Sequence, residues 1–173
     1  MKRMGRMGRQ RQRQRGFTLI ELIISVCITA ILGSIAIAQM RDYTRRAKVS
    51  EVMMALGTCK NRVMENYLML DTAPEPGRWG CEGNGASYYA GAIETSSDGV
   101  IRVPINNLDG LMNGRYIHLV PAKSDGVTGM NTTTDLGKGI RNWICGSDWQ
   151  PVRNALPANC RSDTSSFAYQ EFH

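Results

Sequence analysis

An apolar segment, residues 17–38, constrains this chain more than any other feature of its sequence. Its 22 residues contain one charged side chain, Glu21, and no proline. As an α-helix it would be roughly 33 Å long at about 1.5 Å per residue, which is enough to cross a bilayer. An ionised carboxylate in such a helix costs on the order of 2.5–3.5 kcal/mol at mid-membrane and less near the interface. We therefore expect a membrane helix and a partner that compensates the charge of Glu21.

The segment before this helix is strongly basic. It contains no acidic residue and seven positive side chains, namely Lys2, Arg3, Arg6, Arg9, Arg11, Arg13 and Arg15. Positive charges next to a span predict that this end stays in the cytoplasm. The composition changes between Gly16 and Phe17, and no convincing small-x-small cleavage site follows Ala38, which disfavours a secretory signal. A cut between Gly16 and Phe17 would remove the charges and leave the apolar helix on the mature chain.

The junction at Gly16 resembles that of the type IV pilin family, whose precursors carry a basic leader that ends in Gly, followed by Phe-Thr-Leu-Ile-Glu. Residues 16–21 match this pattern completely. The resemblance implies that a prepilin peptidase and methyltransferase cuts after Gly16 and methylates the new N-terminus, Phe17. It also implies that Glu21 neutralises the N-terminal amine of a neighbouring subunit, which favours the ionised carboxylate. The alternative is a plain single-pass anchor whose Glu21 reaches the membrane interface.

Removal of the leader changes what the charge of the chain means. The whole chain has a net charge of +6, and residues 1–16 carry seven positive charges, so residues 17–173 carry −1. The basic character is therefore no indication of nucleic-acid binding. About 100 residues follow the long helix, enough for one modest domain. We expect a leader at 1–16, a transmembrane and filament-core helix at 17–38, and an extracytoplasmic head at 39–173.

Beyond Ala38 the helical pattern continues with one apolar face. Apolar residues recur at spacings of three and four, and charged residues fall mainly between them: Val49, Val52, Met53, Leu56, Cys59, Val63, Tyr67 and Leu70. This pattern predicts one helix over residues 17–70, whose second half packs on a globular head. Pro74, Pro76 and Gly77 end it.

The rest of the chain predicts a loop followed by a sheet. Residues 79–97 are rich in Gly, Ser and Tyr and lack a helical period. Three segments with strand character follow, separated by glycine-containing turns: 100–103, 115–120 and 140–145. We predict an α+β fold in which an antiparallel sheet of about three or four strands lies against the amphipathic half of the helix.

The chain contains five cysteines, and the expected topology places four of them in an oxidising compartment. Cys27 lies inside the apolar segment and is most simply a small buried hydrophobe. The other four allow three pairings. The C-terminal segment with Cys145 and Cys160 is similar to the disulfide loop of the pilin family, which implies that these two pair. Cys59 and Cys81 then form the second bond or remain two buried thiols.

A basic cluster near the C-terminal loop raises the question of nucleic-acid binding. Four cations lie in this stretch against one acid, Asp148: Lys138, Arg141, Arg153 and Arg161. With Trp143 and Trp149 nearby, phosphate contacts and base stacking are conceivable. The alternative is that the tryptophans pack under the loop and the arginines are solvated.

The sequence contains no residue pattern typical of an enzyme. His118 and His173 are isolated, without His-x-x-x-His or Cys-x-x-Cys spacing, and no Gly-x-Gly-x-x-Gly or Walker sequence occurs. We expect no catalytic residue, no metal and no cofactor.

The pilin resemblance implies a structural subunit of a type IV pilus, serving adhesion, twitching motility or DNA uptake. Its partners would be copies of itself in a homopolymer or mixed pilus, the prepilin peptidase and the inner-membrane assembly machinery, with nucleic acid secondary. The precursor would lie in the bacterial inner membrane and the assembled pilus outside the cell. The alternatives are a minor pilin that acts as a DNA receptor for competence, a type II secretion pseudopilin, which often lacks the C-terminal disulfide loop, and a membrane-anchored enzyme.

Overall fold

The computed structural model describes residues 16–83 and 87–172. The predicted basic leader up to residue 15, residues 84–86 of the predicted loop, and His173 lie outside the described residues. Two compact units are distinguished, one up to Met40 and one from Arg41 onward. The helices and strands are α1 (Leu19–Met69), β1 (Glu94–Thr95), β2 (Ile101–Pro104), β3 (Tyr116–Ala122), α2 (Thr132–Asp135), β4 (Asn142–Ser147), α3 (Gln150–Ala155) and β5 (Ser162–Asp163). Short 3₁₀ turns lie at Ala158–Cys160, between α3 and β5, and at Ser165–Phe167, after β5.

Helix α1 begins at Leu19 and ends at Met69, within two residues of the predicted limits. Its first part is long and apolar enough to cross a membrane, by length and composition. Cys27 is exposed within the described chain, on the apolar surface that we expect lipid or other subunits to cover.

In the second unit, α1 buries the apolar face that the spacing predicts. Six of its residues are at most 1% exposed and belong to the main core: Val49, Val52, Leu56, Cys59, Val63 and Tyr67. Leu70, the last residue of the predicted face, is exposed because the helix has already ended. This half of α1 is therefore an ordinary amphipathic helix packed on a domain core.

The sheet has five strands in the order β1-β2-β3-β4-β5. The three predicted strands correspond to β2, β3 and β4, which pair antiparallel as expected. Two features differ from the prediction: the strand count is five, and β4 pairs with β5 in parallel, with Gly146 opposite Ser162. Strands β1 and β5 have two residues each, too few to show alternation, and β1 lies in the segment predicted as a loop. The α+β architecture itself is confirmed.

Strand β3 lies at the centre of the sheet and is buried on both faces. Ile117 and Leu119 pack in the core that contains α1, whereas Val120 and Ala122 pack in a second cluster with Phe172. The C-terminal segment therefore covers the face of the sheet that a simple two-layer fold would leave to solvent. Because both faces are covered, six of the seven β3 residues are buried.

Two disulfide bonds hold the head together. Cys59 on α1 is bonded to Cys81, with their Cα atoms 5.0 Å apart, and Cys145 on β4 is bonded to Cys160, with Cα atoms 4.4 Å apart. The first bond ties the chain after α1 back to the helix. The second closes the C-terminal loop that contains α3.

Candidate functional site

The start of α1 places Glu21 in the first helical turn. The backbone N–H groups of Glu21 and Leu22 donate to the carbonyl oxygen of Thr18, at 3.1 and 3.3 Å. The Thr18 hydroxyl donates to a carboxylate oxygen of Glu21 at 3.5 Å. Thr-x-x-Glu at a helix start is the capping-box pattern, and a negative charge there interacts favourably with the helix dipole. Glu21 thus supports the start of its own helix while its side chain stays exposed.

A continuous apolar surface surrounds Glu21. Twelve large apolar residues within residues 17–37 are at least 51% exposed: Phe17, Leu19, Ile20, Leu22, Ile23, Ile24, Val26, Ile28, Ile31, Leu32, Ile35 and Ile37. Exposed apolar patches of this extent mark a surface that contacts a membrane or other proteins. Among described residues 16–40, Glu21 is the only charged side chain.

The other polar side chains of this surface are satisfied within the helix. The hydroxyls of Ser25, Thr29 and Ser34 donate to backbone carbonyls one turn back, at 2.7, 2.9 and 2.7 Å. Such bonds let hydroxyl groups lie in apolar surroundings at little cost. The carboxylate of Glu21 remains the one group here that needs a charged partner.

Gly16 and Phe17, the residues on either side of the predicted cut, lie just before the helix. Both are exposed and neither is helical. A peptidase needs an extended, accessible backbone, so the described geometry leaves this bond accessible.

The loop after α1 is organised by the carboxylate of Glu82. It accepts N–H bonds from Trp79, Gly80 and Cys81 at 2.8–2.9 Å, and a bond from the Thr95 hydroxyl. Burial alone would raise the pKa of Glu82, but the bonds from Thr95 and the backbone outweigh it, so the pKa lies below the ordinary value. Glu82 therefore holds the Cys81 end of the disulfide against β1.

The four cations predicted as a nucleic-acid contact do not form one free surface. Arg153 donates to the carbonyl of Ser147 at 2.8 Å and lies 3.2 Å from Asp163. Arg161 donates to the carbonyl of Leu156 at 2.8 Å. These two arginines brace the C-terminal loop. Arg115 also covers the ring of Trp149, at 4.1 Å from its centroid, which occupies one of the predicted stacking faces.

Lys138 and Arg141 do lie together, at a cavity of about 440 Å³. Lys138 Nζ is 2.8 Å and Lys123 Nζ 3.5 Å from the buried carboxylate of Asp135. The hydrogen bond from Lys138 and the one from the Asn131 N–H hold the pKa of Asp135 at about 2, against the opposing effect of burial. Asp135 is thus ionised at neutral pH and fixes both ammonium groups.

Arg141 also lines a second cavity, of about 380 Å³, with Lys60 and Trp143. Lys60 Nζ lies 5.6 Å from the centroid of the Trp143 ring. The sequence analysis did not single out Lys60 or Lys123. No local pattern could have done so, because only the packing of α1 against β4 brings Lys60 to Arg141.

His118, the one described histidine, is a buried core residue. Its ring is 1% exposed and its Nδ1 lies 3.0 Å from the hydroxyl of Thr164. Burial lowers the pKa of His118 to about 4. Among the described residues no group of three His, Cys, Asp or Glu side chains is placed to hold a metal.

Comparison with known proteins identifies two family matches and several relatives. The family model described as pilin, a bacterial filament, matches residues 45–161, and the prokaryotic N-terminal methylation motif matches residues 11–37. A fimbrial protein of Neisseria meningitidis serogroup B is 29% identical over 90% of this chain and 84% of its own length. The type IV major pilin protein PilE of Neisseria gonorrhoeae is 30% identical over 88% and 84%. A fimbrial protein of Pseudomonas aeruginosa is 29% identical over 85% and 96%.

Proposed function

The chain belongs to the pilin family of bacterial filament subunits, and on that basis we propose how it is processed, assembled and used. It is a structural subunit of a type IV pilus and has no catalytic activity of its own. Residues 1–16 form the leader, residues 17–38 the membrane and filament-core helix, and residues 39–173 the extracytoplasmic head. The precursor lies in the inner membrane, where the assembly machinery polymerises the processed chain into an extracellular pilus that serves adhesion, motility or DNA uptake.

The observation that carries this proposal is the exposed apolar surface of residues 17–37 with a single carboxylate in it. In the membrane this surface faces lipid, and in a filament it faces copies of itself, so both states keep it out of water. The charge of Glu21 makes the membrane state and the filament state differ in free energy. In the filament the N-terminal amine of a neighbouring subunit compensates it, which favours assembly over the membrane state.

Processing accounts for the position of Glu21. The methylation motif that matches residues 11–37 spans the Gly16–Phe17 bond. A prepilin peptidase that cuts this bond creates a free amine on Phe17, four residues before Glu21, and then methylates it. Without the cut, residue 17 would have no amine to pair with a neighbouring carboxylate.

The C-terminal disulfide favours a pilus subunit over a pseudopilin. The bond between Cys145 and Cys160 closes the loop that contains α3, and Arg153 and Arg161 donate to the carbonyls of Ser147 and Leu156 within it. A loop with this reinforcement suits a head that forms the surface of a filament.

Intact mass spectrometry of protein sheared from the cell surface tests the proposal directly. We expect a chain that starts at N-methylated Phe17 and gains about 4 Da on reduction, as two disulfides require. A surface chain that retains residues 1–16, or no chain in the sheared fraction, would overturn the proposal.

Two variants separate processing from assembly. Glu21→Ala should be cut normally but should form few or no filaments, because the carboxylate acts after cleavage. Glu65→Ala, which removes an exposed carboxylate further along the same helix, is the matched control and should assemble normally. Gly16→Val should leave the uncut precursor in the membrane. Normal filaments from Glu21→Ala would remove the charge-pair argument.

A further inference from the structure

Two cavities of the head share one lining residue, Arg141. The first, of about 440 Å³, contains Lys123 and Lys138, and the second, of about 380 Å³, contains Lys60 and Trp143. We call the two together the Arg141 groove. We propose that this groove binds an acidic polysaccharide, a chain of sugars that carry carboxylate or sulfate groups. This inference does not depend on filament assembly, since every residue of the groove belongs to the head.

The charge of the groove favours an anionic ligand. Four cations line it, and Asp135 is the only acidic residue among the described lining residues. Asp135 is 5% exposed and occupies part of the donor capacity of Lys123 and Lys138, whose side chains remain 44% and 62% exposed. An ammonium group has three donors. Lys138 Nζ uses one on Asp135 and one on the Thr134 carbonyl, at 2.8 and 2.9 Å, so each lysine keeps at least one donor for a ligand while Asp135 holds its position.

Arg141 provides the central contact. It is exposed, and it has no hydrogen bond or ion pair to any other described residue. Its planar guanidinium can donate two parallel bonds to one carboxylate or sulfate, the strongest geometry available to such groups. Arg153 and Arg161, by contrast, already donate to carbonyls of the C-terminal loop.

Trp143 supplies a second, independent indication of a ligand. Its indole Nε1 is buried, and no described residue accepts a hydrogen bond from it. Buried N–H groups in folded proteins nearly always have an acceptor, and Trp143 lines the second cavity, so an acceptor that enters beside its ring would satisfy this donor. Hydroxyl and carboxylate oxygens of a sugar are suitable acceptors, and Asn159, which lines the same cavity, adds an exposed amide.

The same features disfavour nucleic acid as the occupant. Sequence-tolerant binding of single strands relies on aromatic rings that are open for base stacking. Lys60 lies over the Trp143 ring, and Arg115 lies over the Trp149 ring. Arg153 and Arg161, the other two cations of the basic cluster, already donate to carbonyls of the C-terminal loop, so they do not extend the groove into a track for a phosphate backbone.

Binding of a heparin hexasaccharide to the full-length chain in detergent tests the inference. Titration followed by tryptophan fluorescence should give saturable binding, with maltohexaose, a neutral sugar chain of equal length, as the inactive probe. Arg141→Ala should weaken binding about tenfold, as loss of a charge-assisted hydrogen-bond pair requires. Lys60→Ala should weaken it by a similar factor, and Trp143→Phe should abolish the fluorescence change.

Arg78→Ala is the matched control, because it removes an arginine that is 76% exposed and does not line the groove. Equal weakening by Arg78→Ala would mean diffuse charge attraction and would overturn the site. Absence of hexasaccharide binding would also overturn it, as would a 12-nucleotide DNA strand that binds more tightly with the same dependence on Arg141. Loss of filaments in Glu21→Ala leaves this test unaffected, so failure of the assembly proposal is distinguishable from failure here.

Discussion

The two halves of helix α1 have the same secondary structure and opposite surroundings. In residues 19–40 the large apolar side chains are exposed all around the helix, whereas in residues 41–69 one apolar face is fully buried against the sheet. Both halves keep the same backbone hydrogen bonding, so helix formation does not distinguish them.

The difference shows what each half depends on. The second half has its partner within the chain, so its apolar residues stabilise the fold of the head. The first half has no partner within the described chain, so its apolar residues stabilise only contacts with lipid or with other subunits. Substitutions in the two halves should therefore affect different measurements.

The largest effect is expected from a matched pair of leucines. Leu56 is 1% exposed and Leu32 is 62% exposed. Leu56→Ala should lower the free energy of unfolding of the head by about 2–5 kcal/mol, because it leaves a cavity in the core. Leu32→Ala should change that free energy by less than about 0.5 kcal/mol. Urea unfolding in detergent measures both, and equal effects would show that the two halves share one cooperative core.

Removal of the C-terminal disulfide comes next. Cys145→Ala with Cys160→Ala opens a loop of 15-residue separation and should cost about 3 kcal/mol of unfolding free energy in the chain-entropy model. Cys27→Ala, in the exposed apolar half, should leave the head unchanged. The same urea experiment under non-reducing conditions provides the comparison. A cost below about 1 kcal/mol would mean that packing alone holds the loop.

A fall in pH should lower the free energy of unfolding of the head, because His118 is buried there. The pKa of His118 is about 4 in the folded head and 6.5 in the unfolded chain, so the unfolded state binds more protons between these values. Stability should therefore fall as the pH drops below 6.5, by about 2 kcal/mol between pH 7 and pH 5. In His118→Phe this part of the pH dependence should disappear. If the unfolding free energy of that variant depended on pH as in the parent chain, other titratable groups would be responsible.

The smallest effect is expected at an exposed ion pair on the second half of α1. Arg62 and Glu65 lie 3.1 Å apart, and their side chains are 61% and 56% exposed. Arg62→Ala should lower the unfolding free energy by less than about 0.5 kcal/mol, since solvent screens such pairs. A melting temperature within about 2 °C of the parent chain would agree with this expectation. A larger loss of unfolding free energy would mean that the Arg62 side chain also contributes packing contacts to the head.

Much of the fold was predictable because apolar residues recur at regular spacing along its longer helix and strands. The limits of α1, its buried face and the three longer strands all follow from the spacing of apolar residues. The two short strands were missed, since Glu94–Thr95 and Ser162–Asp163 have only two residues each and owe their pairing to neighbours. The parallel pairing of β5 also has no local signal, because it depends on where α3 returns the chain.

The site residues divide in the same way. Gly16, Phe17 and Glu21 lie within one six-residue motif, so the sequence alone is enough to predict them as the processing and assembly residues. Only two of the four cations in the basic cluster lie at the groove. Lys138 and Arg141 line it, whereas Arg153 and Arg161 donate to carbonyls of the C-terminal loop. The sequence shows how many cations are present. Only the folded structure shows which of them already form hydrogen bonds or ion pairs within the chain.

By itself, then, the sequence determined the apolar helix with its single carboxylate, the amphipathic continuation and the cysteines available for pairing. These are properties of local spacing and composition, which act before any distant segment is in place. Tertiary structure alone decided that the C-terminal segment covers the second face of β3, and that Lys60, Arg141 and Trp143 meet at one groove. Those contacts join segments that are distant in sequence, and they exist only because burial of the apolar clusters brings those segments together.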